Sequence, residues 1–228
     1  MTVRINKKAL NLREELTKAQ GVVRYEQRQF WMDGLVENGT FDNGTNGWTA
    51  QGSTLSVVNG SLRVTNIGGS NDYALQIRDV LTVGKRYKYY FTVGDKTNAS
   101  NVYIGRGTIA SGLYADYYAA SGLTSGDRSG VFVAQSETFS IYLGSYNNDG
   151  NYVEYDNVKL FEVDENDNVI HSVPLGFKPV HVYEDGLLQR EGTNHDYTVV
   201  DTGFGYQVKP TVAPSATTET CIIAEREL

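Results

Sequence analysis

Sixteen tyrosines stand in this chain of 228 residues, and their rings are its most abundant means of contact chemistry. A flat aromatic ring takes the C–H face of a sugar ring, while nearby Asn, Asp, Arg or Gln side chains bond the hydroxyls, provided that a groove fixes both. Tyr90 lies on a strand face opposite Tyr87, Tyr89, Phe91 and Val93, and Tyr142 lies opposite Ile141 and Leu143. Tyr114, Tyr117, Tyr118 and Tyr146 fall in or beside loops. These six are the candidate glycan-binding residues. The competing reading is that surface tyrosines stabilise strands and do no more.

Catalytic patterns are missing. His171, His181 and His195 are the only histidines, and none stands in H-x-x-x-H or H-E-x-x-H spacing; there is no Gly-x-Ser-x-Gly elbow. Gly105-Arg106-Gly107 lacks the third glycine and the strand-to-helix setting of a dinucleotide fingerprint. A pair of carboxylates can hydrolyse a glycoside. Asp116, Asp127, Glu137 and Asp149 form no pair that sequence can identify, and acids in polar loops are ordinary. The reading is of a chain that is not an enzyme and requires no cofactor. Cys221 is the only cysteine, so one chain holds no disulfide and no Cys-based metal cluster, and Ile222 and Ile223 beside it point to a buried strand.

A net charge of −7 and a pI near 5.0 disfavour nucleic acid as a partner. No stretch approaches the roughly 18 apolar residues that span a bilayer. Arg4, Lys7 and Lys8 interrupt the apolar core that a secretory signal at Met1–Leu12 would need, so the expectation is synthesis in a cytoplasm without export and no membrane insertion.

The elements that must position the tyrosines are strands. From Leu35 to Val163 short alternating runs are punctuated by Asn, Gly and Ser, the pattern of a β-sandwich of about 130 residues. Leu55 and Val57, then Asn59-Gly60, then Leu62 and Val64 predict a hairpin over Thr54–Thr65. Tyr73, Leu75 and Ile77 share one strand face. A polar loop is expected from Ser121 to Ser129, and strands at Val131–Val133 and Phe139–Leu143. Four Asn-x-Ser/Thr triplets, starting at Asn38, Asn43, Asn59 and Asn98, read as turns. In the closing strand Val153 and Tyr155 share one parity and Val158 and Leu160 the other. If both pairs face the core, one extra residue is inserted at Asp156-Asn157.

Ahead of the sandwich, Ile5, Ala9, Leu12, Leu16 and Ala19 are spaced 4, 3, 4, 3 and form one stripe of a helix over residues 1 to about 20, with Gly21 as its stop. A lone helix of this length needs a covering surface. That surface is another subunit of a homo-oligomer, another protein, or the chain's own β domain, and the stripe is the candidate attachment site. After the sandwich, Asp164-Glu165-Asn166-Asp167-Asn168 marks a boundary, followed by a second β unit with turns at Asp185-Gly186 and Gly192-Thr193. The fold class is mainly β: helix and arm at 1–33, a central jelly-roll sandwich at 34–163, a small β domain at 164–228.

The opening Asn38-Gly39-Thr40-Phe41-Asp42 with Gly47-Trp48, and the closing Tyr155-Asp156-Asn157-Val158-Lys159-Leu160, resemble the jelly-roll carbohydrate-binding modules found beside bacterial glycosidases. The resemblance implies glycans as ligand and makes Trp48 a core or edge plug. It also implies a structural calcium, because in such modules the matching aspartate, here Asp156, helps hold the ion near the start of the domain, where Glu37 and Asn38 stand. Calcium takes six to eight oxygens. A capped bulge or a plain surface carboxylate is the alternative. The two ends resemble something else: Asn11-Leu12-Arg13-Glu14-Glu15-Leu16 is similar to the helix of small phage structural proteins, and Gly176 to Ala224 resembles β domains of tailed-phage virion proteins, including the particle-attachment domain of tail fibres. That likeness implies a virion protein, a capsid decoration or a tail or fibre component, with capsid, portal or tail proteins as partners. A bacterial binding module or an accessory domain of a polysaccharide-active enzyme is the second reading.

Overall fold

Alternation and turn chemistry account for nearly every element. The computed structural model describes residues 27–31, 34–68, 72–146, 149–203, 205–212 and 218–226, and the elements among them are all strands. The helical stripe of Ile5, Ala9, Leu12, Leu16 and Ala19 lies outside the described residues. In order the strands are β1 Gln27–Trp31, β2 Thr49–Gln51, β3 Ser53–Val58, β4 Ser61–Asn66, β5 Tyr73–Asp79, β6 Arg86–Lys96, β7 Ala99–Gly105, β8 Tyr118–Ser121 and β9 Gly126–Val133. They continue as β10 Thr138–Tyr146, β11 Tyr152–Val163, β12 Val169–Ser172, β13 Phe177–Glu184, β14 Leu187–Leu188, β15 Tyr197–Asp201, β16 Tyr206–Pro210 and β17 Thr220–Arg226.

Two sheets face each other across the central core. One runs β2-β5-β10-β7-β8, the other β3-β4-β11-β6-β9. Tyr87, Tyr89, Phe91 and Val93 from β6, with Leu62, Val64, Val153, Tyr155, Val158 and Leu160, meet Ala74, Val102, Ile104, Phe139, Ile141 and Leu143. The Tyr155 hydroxyl crosses this core and donates to the Gly144 carbonyl at 2.6 Å, tying the sheets together. The β3–β4 hairpin turns at Asn59 (φ 51°) and Gly60 (φ 87°), left-handed at both positions as its twist requires. The extra residue in β11 is present: Asp156 pairs with Thr92 and Lys159 with Tyr90, so three steps on β11 match two on β6. Asn157 takes φ 50° there, and all four of Val153, Tyr155, Val158 and Leu160 are buried.

The run from Ser121 to Ser129 departs from expectation. Its second half is strand, because β9 begins at Gly126 and pairs with β6 along its length. Asp127 and Ser129 point to solvent from this sheet edge, where polar residues suit a strand that no neighbour covers.

The acidic run 164–168 is a hairpin turn. The Asp164 carboxylate accepts from the backbone of Asn166 and Asn168, and β12 returns alongside β11. β16 and β15 extend that sheet, while β1-β17-β13-β14 forms a separate one. Between them lie Val173, Val182, Tyr197, Val208, Ile222 and Ala224. β1 pairs with β17 from Gln27↔Glu225 to Trp31↔Cys221, so the strand before the sandwich and the last strand of the chain are neighbours.

Candidate functional site

The side chains most suited to contact a ligand gather on the outer face of the five-stranded sheet. Strand β10 sends Phe139, Ile141 and Leu143 into the core, so Ser140, Tyr142 and Gly144 face outward. The register places Tyr142 between Leu75 and Tyr103, Gly144 between Tyr73 and Asn101, and Ser140 between Ile77 and Gly105. Because Gly144 has no side chain, the Tyr73 ring lies over it; a Cβ there would stand 2.6 Å from a ring carbon. Tyr73 meets Tyr142 edge-on at 5.6 Å and Tyr103 at 5.9 Å. Tyr114 adds itself from the loop between β7 and β8, 5.0 Å from Tyr103 and 5.9 Å from Tyr142. Such edge-to-face pairs match the ring's electron-rich face to a neighbour's electron-poor rim. Burial raises the Tyr73 and Tyr142 hydroxyls above the ordinary phenol range, so both stay protonated near neutral pH.

Beside this cluster runs a groove of about 480 Å3 along β5, lined by Leu75, Ile77, Thr49, Glu37, Arg78 and Asp79 among others. It exists because β2 pairs with β5 only at Tyr73–Leu75, which leaves the rest of that strand without a neighbour on one side. The buried Gln76 amide closes the inner wall, donating to the carbonyls of Glu37 and Gly47 and accepting from the Glu37 N–H. Glu37 and Arg78 form an exposed pair at 3.3 Å. In that setting it orders the rim more than it stabilises the fold.

The six sequence candidates are dispersed. Tyr114 and Tyr142 belong to the cluster, but Tyr142 is 1% exposed beneath the β7–β8 loop. Tyr90 is on the other sheet, 8% exposed and packed edge-on against Phe161. Facing away from the central core did not leave it open, because Phe161, Val163 and Val169 form a second apolar cluster around it. Tyr117 stacks on Phe132 at 4.1 Å and its hydroxyl accepts from the Gln135 N–H. Tyr118 packs against Tyr89 at 5.2 Å, and burial raises its hydroxyl. Tyr146 is 43% exposed at the far end of β10. Tyr73, Tyr103, Asn101, Leu75 and Ile77 were not singled out as site residues. The shared parity of Tyr73, Leu75 and Ile77 was the available signal, but which strand they face is a matter of pairing.

The proposed calcium ligands have other engagements. Glu37 pairs with Arg78. The Asn38 amide donates to the carbonyls of Gly44 and Asn46 and accepts from the Asn43 N–H, holding its own loop closed, and the Trp48 indole donates to the Asn38 carbonyl at 3.1 Å. Asp156 caps the Asn157 N–H at 2.7 Å, and burial, then the nearby Asp42 charge, raise its carboxyl. Among the described residues no three His, Cys, Asp or Glu side chains converge as a metal site. With Glu37 and Asn38 engaged in these bonds, the capped bulge accounts for Asp156. Chelation of divalent cations is accordingly expected to leave the melting temperature unchanged. A drop that disappears in Asp156→Ala would reinstate the ion.

His171 is buried against Phe161, and His181 and His195 are exposed. Cys221 is buried.

Fold and site together define an all-β sandwich with an aromatic outer face and an open groove. No protein-family model matches the chain, and no curated protein does. Solved structures match a little over half of it. A CBM4 carbohydrate-binding module is 18% identical over 56% of this chain and 99% of its own, with a TM-score of 0.40. The N-terminal cellulose-binding domain of Cellulomonas fimi β-1,4-glucanase C is 18% identical over 57% of this chain and 97% of its own, with a TM-score of 0.42. The enzymatically active domain of tailspike protein 4 from bacteriophage CBA120 is 16% identical over 57% of this chain, with a TM-score of 0.43, and the match spans 21% of that chain. At such identities and TM-scores these likenesses decide nothing about ligand or mechanism.

Proposed function

We propose that this chain is a non-enzymatic structural protein of a bacteriophage particle whose sandwich displays a glycan-binding face. The observation that carries the binding reading is the outer face of the five-stranded sheet: Tyr103 partly exposed at the edge of a tyrosine cluster, with an open groove beside it. Leu75 and Ile77 offer apolar surface to the C–H face of a sugar, and Thr49, Glu37, Arg78 and Asp79 offer bonds to its hydroxyls. The particle reading is supported by the sequence resemblance at both ends and by the β1–β17 pairing, which joins the strand before the sandwich to the C-terminal β unit in one body. In this reading the sandwich is an insertion carried outward by that body. Capsid, portal or tail proteins are then its partners, and the virion is its location. The same face would serve a bacterial accessory module equally well, so the particle itself must be assayed.

Tyr103→Ala is expected to weaken glycan binding about tenfold, the scale of one lost ring contact in a desolvated site. A glycan array of bacterial surface and plant polysaccharides, followed by affinity measurement on any hit, checks this. Unchanged affinity would move the site elsewhere. Mass spectrometry of purified particles tests attachment: a chain absent from them is not a virion protein.

A further inference from the structure

We infer that the loop 106–116 is a lid over the inner half of this face, and that a bound sugar ring takes the place of Tyr114 against Tyr103 and Tyr142, with the Asn101 side-chain carbonyl accepting one of its hydroxyls. This deepens the glycan reading and rests on it. The first observation is what covers Tyr142. Its ring stands mid-sheet on the outward face, yet it is enclosed, and the enclosure is the loop, whose Tyr114 packs on the ring at 5.9 Å.

The second observation is how the loop is held. Internally it is well ordered, with Arg106 N–H to the Leu113 carbonyl at 2.9 Å and turns at Ser111 and Gly112. Toward the sheet it is tied by the Gly107 N–H to Ser140 Oγ at 3.2 Å and by the Tyr114 ring. Across its base Arg106 pairs with Asp116 at 2.6 Å, both side chains partly exposed. A loop that keeps its own shape and rests on a sheet through a few contacts opens as a unit, at the low end of a protein's range of local stabilities. Gly105 lets it lie close, since a Cβ there would be 2.2 Å from the Leu113 carbonyl oxygen.

The third observation lies one register row from Tyr103. Asn101 is 3% exposed, and its side-chain oxygen has no hydrogen-bond donor among the described residues. Buried acceptors are ordinarily paired. On this face, next to Tyr73 and Tyr103, its natural donor is a hydroxyl that enters when the lid lifts.

Two measurements on the full chain test this. Hydrogen exchange without ligand should show the amide of Gly107 exchanging far faster than those of Ile141 and Leu143 in β10. In Arg106→Gln it should exchange about fivefold faster still, the scale of one surface ion pair. Protection equal to that of β10, or no response to Arg106→Gln, overturns the lid. On the glycan array, Tyr114→Ala should bind severalfold more tightly than wild type because the competing ring is gone, whereas Tyr103→Ala binds more weakly. If Tyr114→Ala also weakens binding, Tyr114 is a direct contact and the displacement is overturned while the glycan reading stands. If no variant binds any glycan while exchange behaves as expected, the glycan reading fails and the lid stands without its sugar.

Discussion

Gly39→Ala should destabilise the sandwich by about 3 kcal/mol or more, which for a chain of this size lowers the melting temperature by roughly 6–12 °C. A Cβ at this position would lie 1.8 Å from the Val158 carbonyl oxygen and 2.9 Å from its carbon. Both obstacles are backbone, so no side chain can swing away. The same contact carries a hydrogen bond, Val158 N–H to the Gly39 carbonyl at 2.9 Å, which seats the opening loop on the bulge of β11. Relief requires the loop to lift, and with it go the neighbours Phe41 and Trp48, whose tilted rings meet at 5.6 Å as part of the core. Gly44→Ala is the control. Gly44 has φ 63° and nothing within 4 Å of a Cβ, so it should lose only the left-handed backbone penalty of about 1–2 kcal/mol. Thermal denaturation followed by circular dichroism compares the two, and failure of Gly39→Ala to fold at all agrees with the expectation. Equal melting temperatures for the two variants would mean that the opening loop does not bear on β11 as described.

Acid is expected to weaken the C-terminal unit through His171. The imidazole is buried, edge-on to Phe161 at 5.6 Å, and paired in register with Val208. Burial, then the positive charge of Lys159, lowers its pKa to about 4 from an ordinary 6.5. Lys159 is itself 5% exposed and donates to the Thr218 carbonyl at 3.1 Å. Between those values the unfolded chain holds a proton that the folded chain refuses. The contribution is therefore complete above about pH 6.5 and is lost as the pH falls through about 4. A depression of about 2.5 pH units corresponds to about 3 kcal/mol. Asp156 and Glu184 act in the opposite sense, because burial raises both carboxyls and their neutral forms are favoured as the pH drops. Comparing variants rather than reading one acid curve isolates the histidine. Nε2 has no hydrogen-bond partner among the described residues, so His171→Phe removes the titration without orphaning a partner. It should keep at pH 4.5 most of the stability that wild type loses. Parallel pH profiles for the two proteins would place the acid sensitivity in other groups.

Sequence alone determined the parts of this protein that are local. Asn59-Gly60 dictates its hairpin because only a left-handed pair of residues matches the twist of the strands on either side. The parity break between Tyr155 and Val158 dictated the bulge, since both apolar pairs have one core to reach. It also placed Tyr90 and Tyr142 on outward faces, which the register confirms. Tertiary structure decided whether outward meant open. Tyr90 is closed off by Phe161 and Val163 of a neighbouring strand and by Val169 of the next, and Tyr142 by a loop that Gly105 allows to lie flat. No periodicity carries that information, because a residue's accessibility depends on segments distant in the chain that pack over it. The same holds for the candidate site itself. Tyr73, Tyr103, Tyr114 and Tyr142 come from three strands and a loop, and only the β5-β10-β7 order brings their rings together. The buried His171 is a further case: its sequence neighbours Ile170 and Ser172 say nothing of its burial, which β16, distant in the chain, completes by pairing Val208 with it.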